Sequence, residues 1–330
     1  MSERSRSGGT LAESDGRGSS GLTQKPRSTW QKGRSFLARP LPQKWEVLRN
    51  WSRYWAQYVL AEAESWLIYP VPVHLPCGGW LWTGPDSTGA QIRAGGFETG
   101  ECHFLARYLQ KGMTALDVGA HVGFYSVQMG LSVGPSGRVL AFEPSPRERR
   151  RLRLNLALTR CRMVRVKGTA LGASQGKADF YVVIGGQSGC NSLRFPAKAG
   201  PTKRIAVSVV SLDDCLAAEG IERVDLVKMD VEEGELDVLR GARQLLTQEP
   251  RPVFLCELSN RRTSWWGYPA REIYEHFRAF HFQLYSVLPS GDLRPSPLRD
   301  DFDENLVALP QEREDRLGSQ FLSPLPHAKS

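Results

Sequence analysis

Asp117-Val118-Gly119-Ala120-His121-Val122-Gly123 separates the apolar run Ala115-Leu116 from a helix-like stretch beginning at Phe124. Strand, glycine turn, helix is how a doubly wound α/β fold holds a nucleoside-bearing ligand at the carboxyl edge of its sheet. The next apolar run, Val139-Leu140-Ala141-Phe142, ends in Glu143-Pro144, which puts a second acid where it can accept both hydroxyls of a ribose. A dinucleotide fingerprint reads G-x-G-x-x-G and turns a helix N-terminus toward a pyrophosphate. Asp117 stands where it would repel a pyrophosphate, and it suits a cation, such as the amino group and sulfonium of S-adenosyl-L-methionine. Gly119, His121 and Gly123 complete this loop. His121 reads either as a turn former, His being enriched at positive φ, or as a cofactor contact.

A second constellation is Val227-Lys228-Met229-Asp230-Val231-Glu232. Side chains two apart on a strand share a face, so Lys228, Asp230 and Glu232 project together where the strand emerges. A lysine and two carboxylates cannot pack there as core without pairing. They read either as a structural ion pair or as a catalytic group, with Asp230 or Glu232 as general base and Lys228 holding an acceptor oxygen. Asp230 also counts among the cofactor contacts. Phe254-Leu255-Cys256-Glu257 places a further carboxylate on the same edge, Glu257 being a candidate substrate contact, and the polar loop around Asn191 and Ser192 reads either as a plain turn or as a source of further substrate contacts. Arg147, Arg149, Arg150, Arg151 and Arg153 crowd one helix, as a solvated face or a phosphate site.

These residues need a scaffold of alternating strands and helices. Strands are expected near 113–118, 138–143, 163–168, 225–230, 252–258, 282–288 and 305–309, and helices near 98–110, 123–132, 146–159, 234–247 and 269–280. Two β-rich runs, Asp179 to Ile184 and Arg204 to Val210, interrupt the alternation. The pattern predicts a mostly parallel, doubly wound sheet with helices on both faces and a small β-rich insertion. Upstream, 78–96 reads as a β-hairpin. Trp45, Leu48, Trp51, Trp55, Val59, Ala63 and Trp66 form one helical stripe, which could dock on the domain, contact an anionic membrane or join a dimer. The expected organisation is a disordered basic arm over 1–40, a helix-plus-hairpin extension over 41–96, the main domain over 97–310 and a flexible tail over 311–330.

The 330 residues carry a net charge of +8, and residues 1–53 hold eleven bases against four acids. The rest of the chain is nearly neutral, so nucleic acid is not the expected partner. Six cysteines without a CxxC pair fit a reduced, cytoplasmic protein rather than a disulfide framework or a metal site. No apolar run approaches the length of a membrane span, and the first residues contain no secretory h-region.

Together, ALDVGAHVGFYS at 115–126, FEPSP at 142–146, Asn155, TALG at 169–172, SGCNSL at 188–193, VSLDD at 210–214 and VDLVKMDVEEGELDVLRGA at 224–242 resemble the FkbM family of S-adenosylmethionine-dependent methyltransferases. The resemblance runs from Phe97-Glu98 to Tyr285. It implies a Rossmann-like class I methyltransferase sheet of seven strands, the last antiparallel, with an N-terminal helical extension in this chain. It also implies O-methylation of a sugar, glycolipid or natural-product hydroxyl. Asp117 and the loop to Gly123 would hold the methionine end, and Glu143 and Pro144 the nucleoside. The alternatives are an RNA methyltransferase and a noncatalytic, membrane-associated protein with a vestigial pocket. One departure is Glu233, where the family carries glycine.

Overall fold

The computed structural model describes residues 71–322, except 85, 186, 197–199, 233 and 261–265. The expectations for the basic arm, for the tryptophan stripe and for Glu233 lie outside the described residues.

The chain enters through a hairpin, β1 (Val71–His74) and β2 (Trp80–Thr83), closed by the Gly78-Gly79 turn. This hairpin sits upstream of its expected place, and 87–93 is instead helix α1 (Ser87–Arg93), because Asp86 caps its first turn by accepting from the Gly89 amide at 2.7 Å. Helix α2 (Thr99–Tyr108) leads into β3 (Thr114–Val118), α3 (Phe124–Val133), β4 (Arg138–Phe142), α4 (Pro146–Leu158) and β5 (Val164–Lys167). The insertion comprises β6 (Ala170–Leu171), β7 (Gly176–Val183) and β8 (Thr202–Val210), which form a separate three-stranded sheet.

Helix α5 (Leu212–Ala218), capped by the Ser211 hydroxyl, returns the chain to β9 (Leu226–Met229). The single helix expected over 234–247 is two, α6 (Glu235–Arg240) and α7 (Arg243–Thr247). They break at Gly241, where a Cβ would lie 2.2 Å from the Gly172 carbonyl oxygen, so the chain passes too close for a side chain. β10 (Val253–Ser259), α8 (Arg271–Ala279), β11 (Phe282–Val287), β12 (Leu293–Pro295) and β13 (Asp303–Pro310) follow. Within the expected flexible tail, Gln311–Phe321 forms helix α9, anchored by Phe321, which packs on Phe104 and Tyr108.

Among the described residues the main sheet has eight strands in the order β12-β11-β13-β10-β9-β3-β4-β5. This is the expected class I methyltransferase sheet with short β12 added at its edge. β13 lies antiparallel between β10 and β11. Alternation along each strand divides the core. Leu116, Val118, Val227 and Met229 pack on one face, and Ala115 and Leu226 on the other. Asp117 and Lys228 are register partners on adjacent parallel strands, so both project from the second face.

Candidate active site

The carboxyl edge of the sheet opens into a cavity of about 320 Å³, a volume typical of small-molecule sites. Gly119 and His121 line it from the β3 loop, Glu143 and Pro144 from the end of β4, Lys228, Asp230 and Glu232 from the end of β9, and Glu257 from β10. Asn191 reaches it from the loop after β7. Asp117, Gly123 and Ser192 lie behind the wall. The Ser192 hydroxyl donates instead to the Glu232 carbonyl, 3.1 Å away.

The charged centre is Lys228, which is buried. Its ammonium lies 3.3 Å from an Asp230 carboxylate oxygen and 4.8 Å from the centroid of the Tyr125 ring. Burial works against this charge, but Asp230, Asp117 and Glu98 outweigh it and hold the amine protonated above the ordinary lysine range. Asp117 has no exposed surface. Its Oδ2 accepts from the Ser126 hydroxyl at 2.5 Å, while its Oδ1 has no partner. Burial pushes the Asp117 carboxyl up, against the pull of Lys228. Glu98 adds a third carboxylate, accepting from the Tyr125 hydroxyl, and burial raises it too. Glu98 sits at φ 44°, a left-handed conformation costly for glutamate, which the surrounding contacts enforce. Three carboxylates around one ammonium leave surplus negative charge and an unsatisfied acceptor. A sulfonium with an amino group fits that donor set and a pyrophosphate does not.

At the other end, Glu143 is held rigidly. One carboxylate oxygen accepts from the His121 amide at 2.9 Å and the other from the Ser145 amide at 2.7 Å. Burial, and then the nearby Glu148, push its pKa up to about 8. Arg149 donates to the carbonyls of Glu143 and Pro144, both at 2.9 Å, so this arginine props up the β4 loop rather than waiting for a phosphate.

The loop glycines are required by the protein itself. Gly119 has φ 85°, and a Cβ there would lie 1.7 Å from the Asp230 carbonyl oxygen. Gly123 has φ 96°, and its Cβ would meet Leu152 Cδ1 at 2.5 Å, so it lets α3 and α4 approach. His121, between them, is at φ 48°. Its Nε2 lies 3.0 Å from the Ser188 hydroxyl, which donates to Asp86 at 2.9 Å. With the serine proton directed at Asp86, Nε2 carries the ring hydrogen and donates it. Burial lowers the His121 pKa and keeps the ring neutral. This relay joins three walls of the cavity: the β3 loop, the Ser188–Cys190 turn and the N-terminus of α1.

Asp86, Glu98, Tyr125 and Ser188 were not anticipated as site residues. Sequence signals for them existed: Asp86-Ser87 has the form of a helix cap, and Tyr125 lies two residues past Gly123 in the first turn of the helix after the glycine loop. The left-handed residue near the Glu233 departure is Glu232, at φ 58°, with its carbonyl fixed by Ser192 and by the Trp266 indole at 3.2 Å. Among the described residues no cluster of His, Cys, Asp and Glu is arranged to hold a metal ion.

The family profile described as "Methyltransferase FkbM domain" matches residues 117–287. The 2-O-methyltransferase NoeI of Sinorhizobium fredii is 31% identical over 192 residues, covering 53% of this chain and 74% of NoeI. The AMB antimetabolite synthetase AmbE of Pseudomonas aeruginosa is 29% identical over 181 residues, 44% of this chain and 8% of AmbE. Among solved structures, an O-methyltransferase of Bacillus cereus in complex with SAH aligns over 64% of this chain and 80% of its own, at 14% identity and a TM-score of 0.40.

Proposed function

Because this chain belongs to the FkbM methyltransferase family and takes its methyl group from S-adenosylmethionine, we propose that it methylates a hydroxyl oxygen on a sugar or similar small molecule. The observation that carries the reading is the Lys228–Asp230 pair. An acid–base couple at 3.3 Å lines the same cavity as Glu143 and Gly119. The 2-O-methyltransferase name of NoeI supports an oxygen as the methylated atom.

When bound, the cofactor supplies an electrophilic methyl group on a sulfonium. Glu143 would accept from the ribose hydroxyls, and the corner lined by Glu98 and Asp230, with Asp117 buried behind it, would receive the cationic methionine end. Asp230 takes the acceptor's hydroxyl proton. Its side chain is about 30% exposed, so the proton can pass on to solvent. Lys228 stays charged throughout and orients the acceptor oxygen. Glu257 and Asn191, which line the same cavity, bind the rest of the acceptor. Positioning supplies most of the acceleration.

The test is methyl transfer from labelled cofactor to a panel of free sugars and glycosides, with wild type and Asp230→Asn. The variant should lose roughly 10²–10⁴-fold in kcat, the usual worth of a general base, with little change in cofactor Kd. Label appearing on nitrogen, or an unchanged kcat, rules the assignment out.

A further inference from the structure

We propose that the outer face of α4, together with the exposed side of the β1–β2 hairpin, is a docking surface for an anionic lipid bilayer. Between 147 and 167 the chain has nine bases and one acid, Glu148. Glu148 is fully buried, held by Ser145 and Arg147. Several of the bases are used internally. Arg149 supports the β4 loop, Arg151 lies 3.5 Å from Asp86, and Arg165 and Lys167 pair with Glu219. Arg153, Arg160 and Arg162 are exposed and make no ion pair among the described residues.

Apolar side chains stand among these arginines. Leu154 and Leu158, one helical turn apart, are 47% and 44% exposed. The hairpin is strapped to the same helix. Asn155 accepts from the Trp82 amide at 2.8 Å, and a Cβ on Gly79 would lie 3.5 Å from Thr159. This brings Trp80, 50% exposed, next to the C-terminal end of that helix. Three of the six exposed large apolar residues among the described residues, Trp80, Leu154 and Leu158, therefore lie on this basic helix or on the strand strapped to it.

A merely solvated basic face does not require exposed leucine and tryptophan. A polyphosphate backbone would use the arginines and leave Leu154 and Leu158 wet. A bilayer interface satisfies both kinds of residue. Leucine and tryptophan sink to the acyl boundary, arginine stems lie along it, and the guanidinium groups meet lipid phosphates. The sequence leading into Val71 has the same chemistry, with tryptophans at 45, 51, 55 and 66 and a surplus of seven positive charges over residues 1–53.

The experiment is co-sedimentation of the full-length chain with phosphatidylcholine vesicles and with vesicles that also contain phosphatidylserine. Two variants are compared: Arg153→Gln/Arg160→Gln/Arg162→Gln, and Trp80→Ser/Leu154→Gln/Leu158→Gln. Wild type should bind only the anionic vesicles, and less at high salt. The charge variant should lose about fivefold for each arginine at low salt. The apolar variant should also lose binding. Cofactor affinity, unchanged in both, reports that they fold, and none of the altered side chains lines the methyl-transfer cavity. No vesicle binding by wild type, or undiminished binding by either variant, overturns the proposal. Binding of single-stranded RNA in preference to vesicles, lost only in the charge variant, would overturn it in favour of a nucleic-acid surface.

Discussion

Single atoms set the pH response of this site. Glu143, raised to about 8 by burial and by Glu148, stays protonated in the ligand-free protein at neutral pH. Two backbone amides and two ribose hydroxyls all donate toward it, which favours the ionised form once the nucleoside is present. Cofactor binding near pH 7 should therefore expel a proton, and Kd should fall by up to about tenfold per pH unit as pH rises toward 8. Calorimetry in buffers of different ionisation enthalpy checks this, and a buffer-independent heat would contradict it. The sign for folding is the reverse. The folded carboxyl keeps a proton that the unfolded chain releases, so this group's contribution to ligand-free stability falls as pH climbs from about 4.5 to about 8. Gly119→Ala is a harsher change. Its methyl would collide with the Asp230 carbonyl oxygen in a left-handed conformation, so cofactor binding and methyl transfer should both disappear, and isothermal binding would show it.

Elements divide into those legible locally and those not. The alternation of β and α from α2 to β11 could be read from periodicity, because each strand is a short apolar run and each helix carries its own stripe. The pairing of Asp117 with Lys228 could be anticipated as a shared sheet edge but not as register partners, since 111 residues separate them. The hairpin was misplaced because the glycine pair at 78–79 is the turn itself and not the entry to a first strand. Helix α9 was missed because the prolines around it suggested fraying, whereas Phe321 finds a tertiary partner in Phe104. Glu98 escaped notice because a left-handed glutamate has no sequence signature. Helix α1 allows a test at this scale. Asp86→Ala removes both its cap and the acceptor of the Ser188 hydroxyl. The cap alone is worth about 0.5–2 kcal/mol, and each kcal/mol lowers Tm by about 2–4 °C in a domain of this size. Asp86→Asn, which still caps, should restore most of the Tm. If Asn is as harmful as Ala, the relay to His121 and not the cap is what matters.

Across the whole molecule, the sheet gathers groups from distant stretches of chain into one cavity, and a single strand holds its two halves together. β13, residues 303–310, lies between β10 and β11 and pairs with both. A chain ending at residue 302 should leave β10 with an open edge and the β11–β12 pair detached from the rest, so it should be insoluble or fail to bind cofactor. A soluble, cofactor-binding product would show that the inserted strand is dispensable. The placement of β13 also has a consequence for biosynthesis. Translation runs from the N-terminus, so the strand that belongs inside the sheet emerges after every other strand of that sheet. Until it emerges, two hydrogen-bonding edges wait on the nascent chain, open to the wrong partners and in need of a chaperone's cover. Ribosome-bound chains stalled before and after residue 310 clears the exit tunnel should therefore differ sharply in protease resistance, with the protected sheet arriving in one late step.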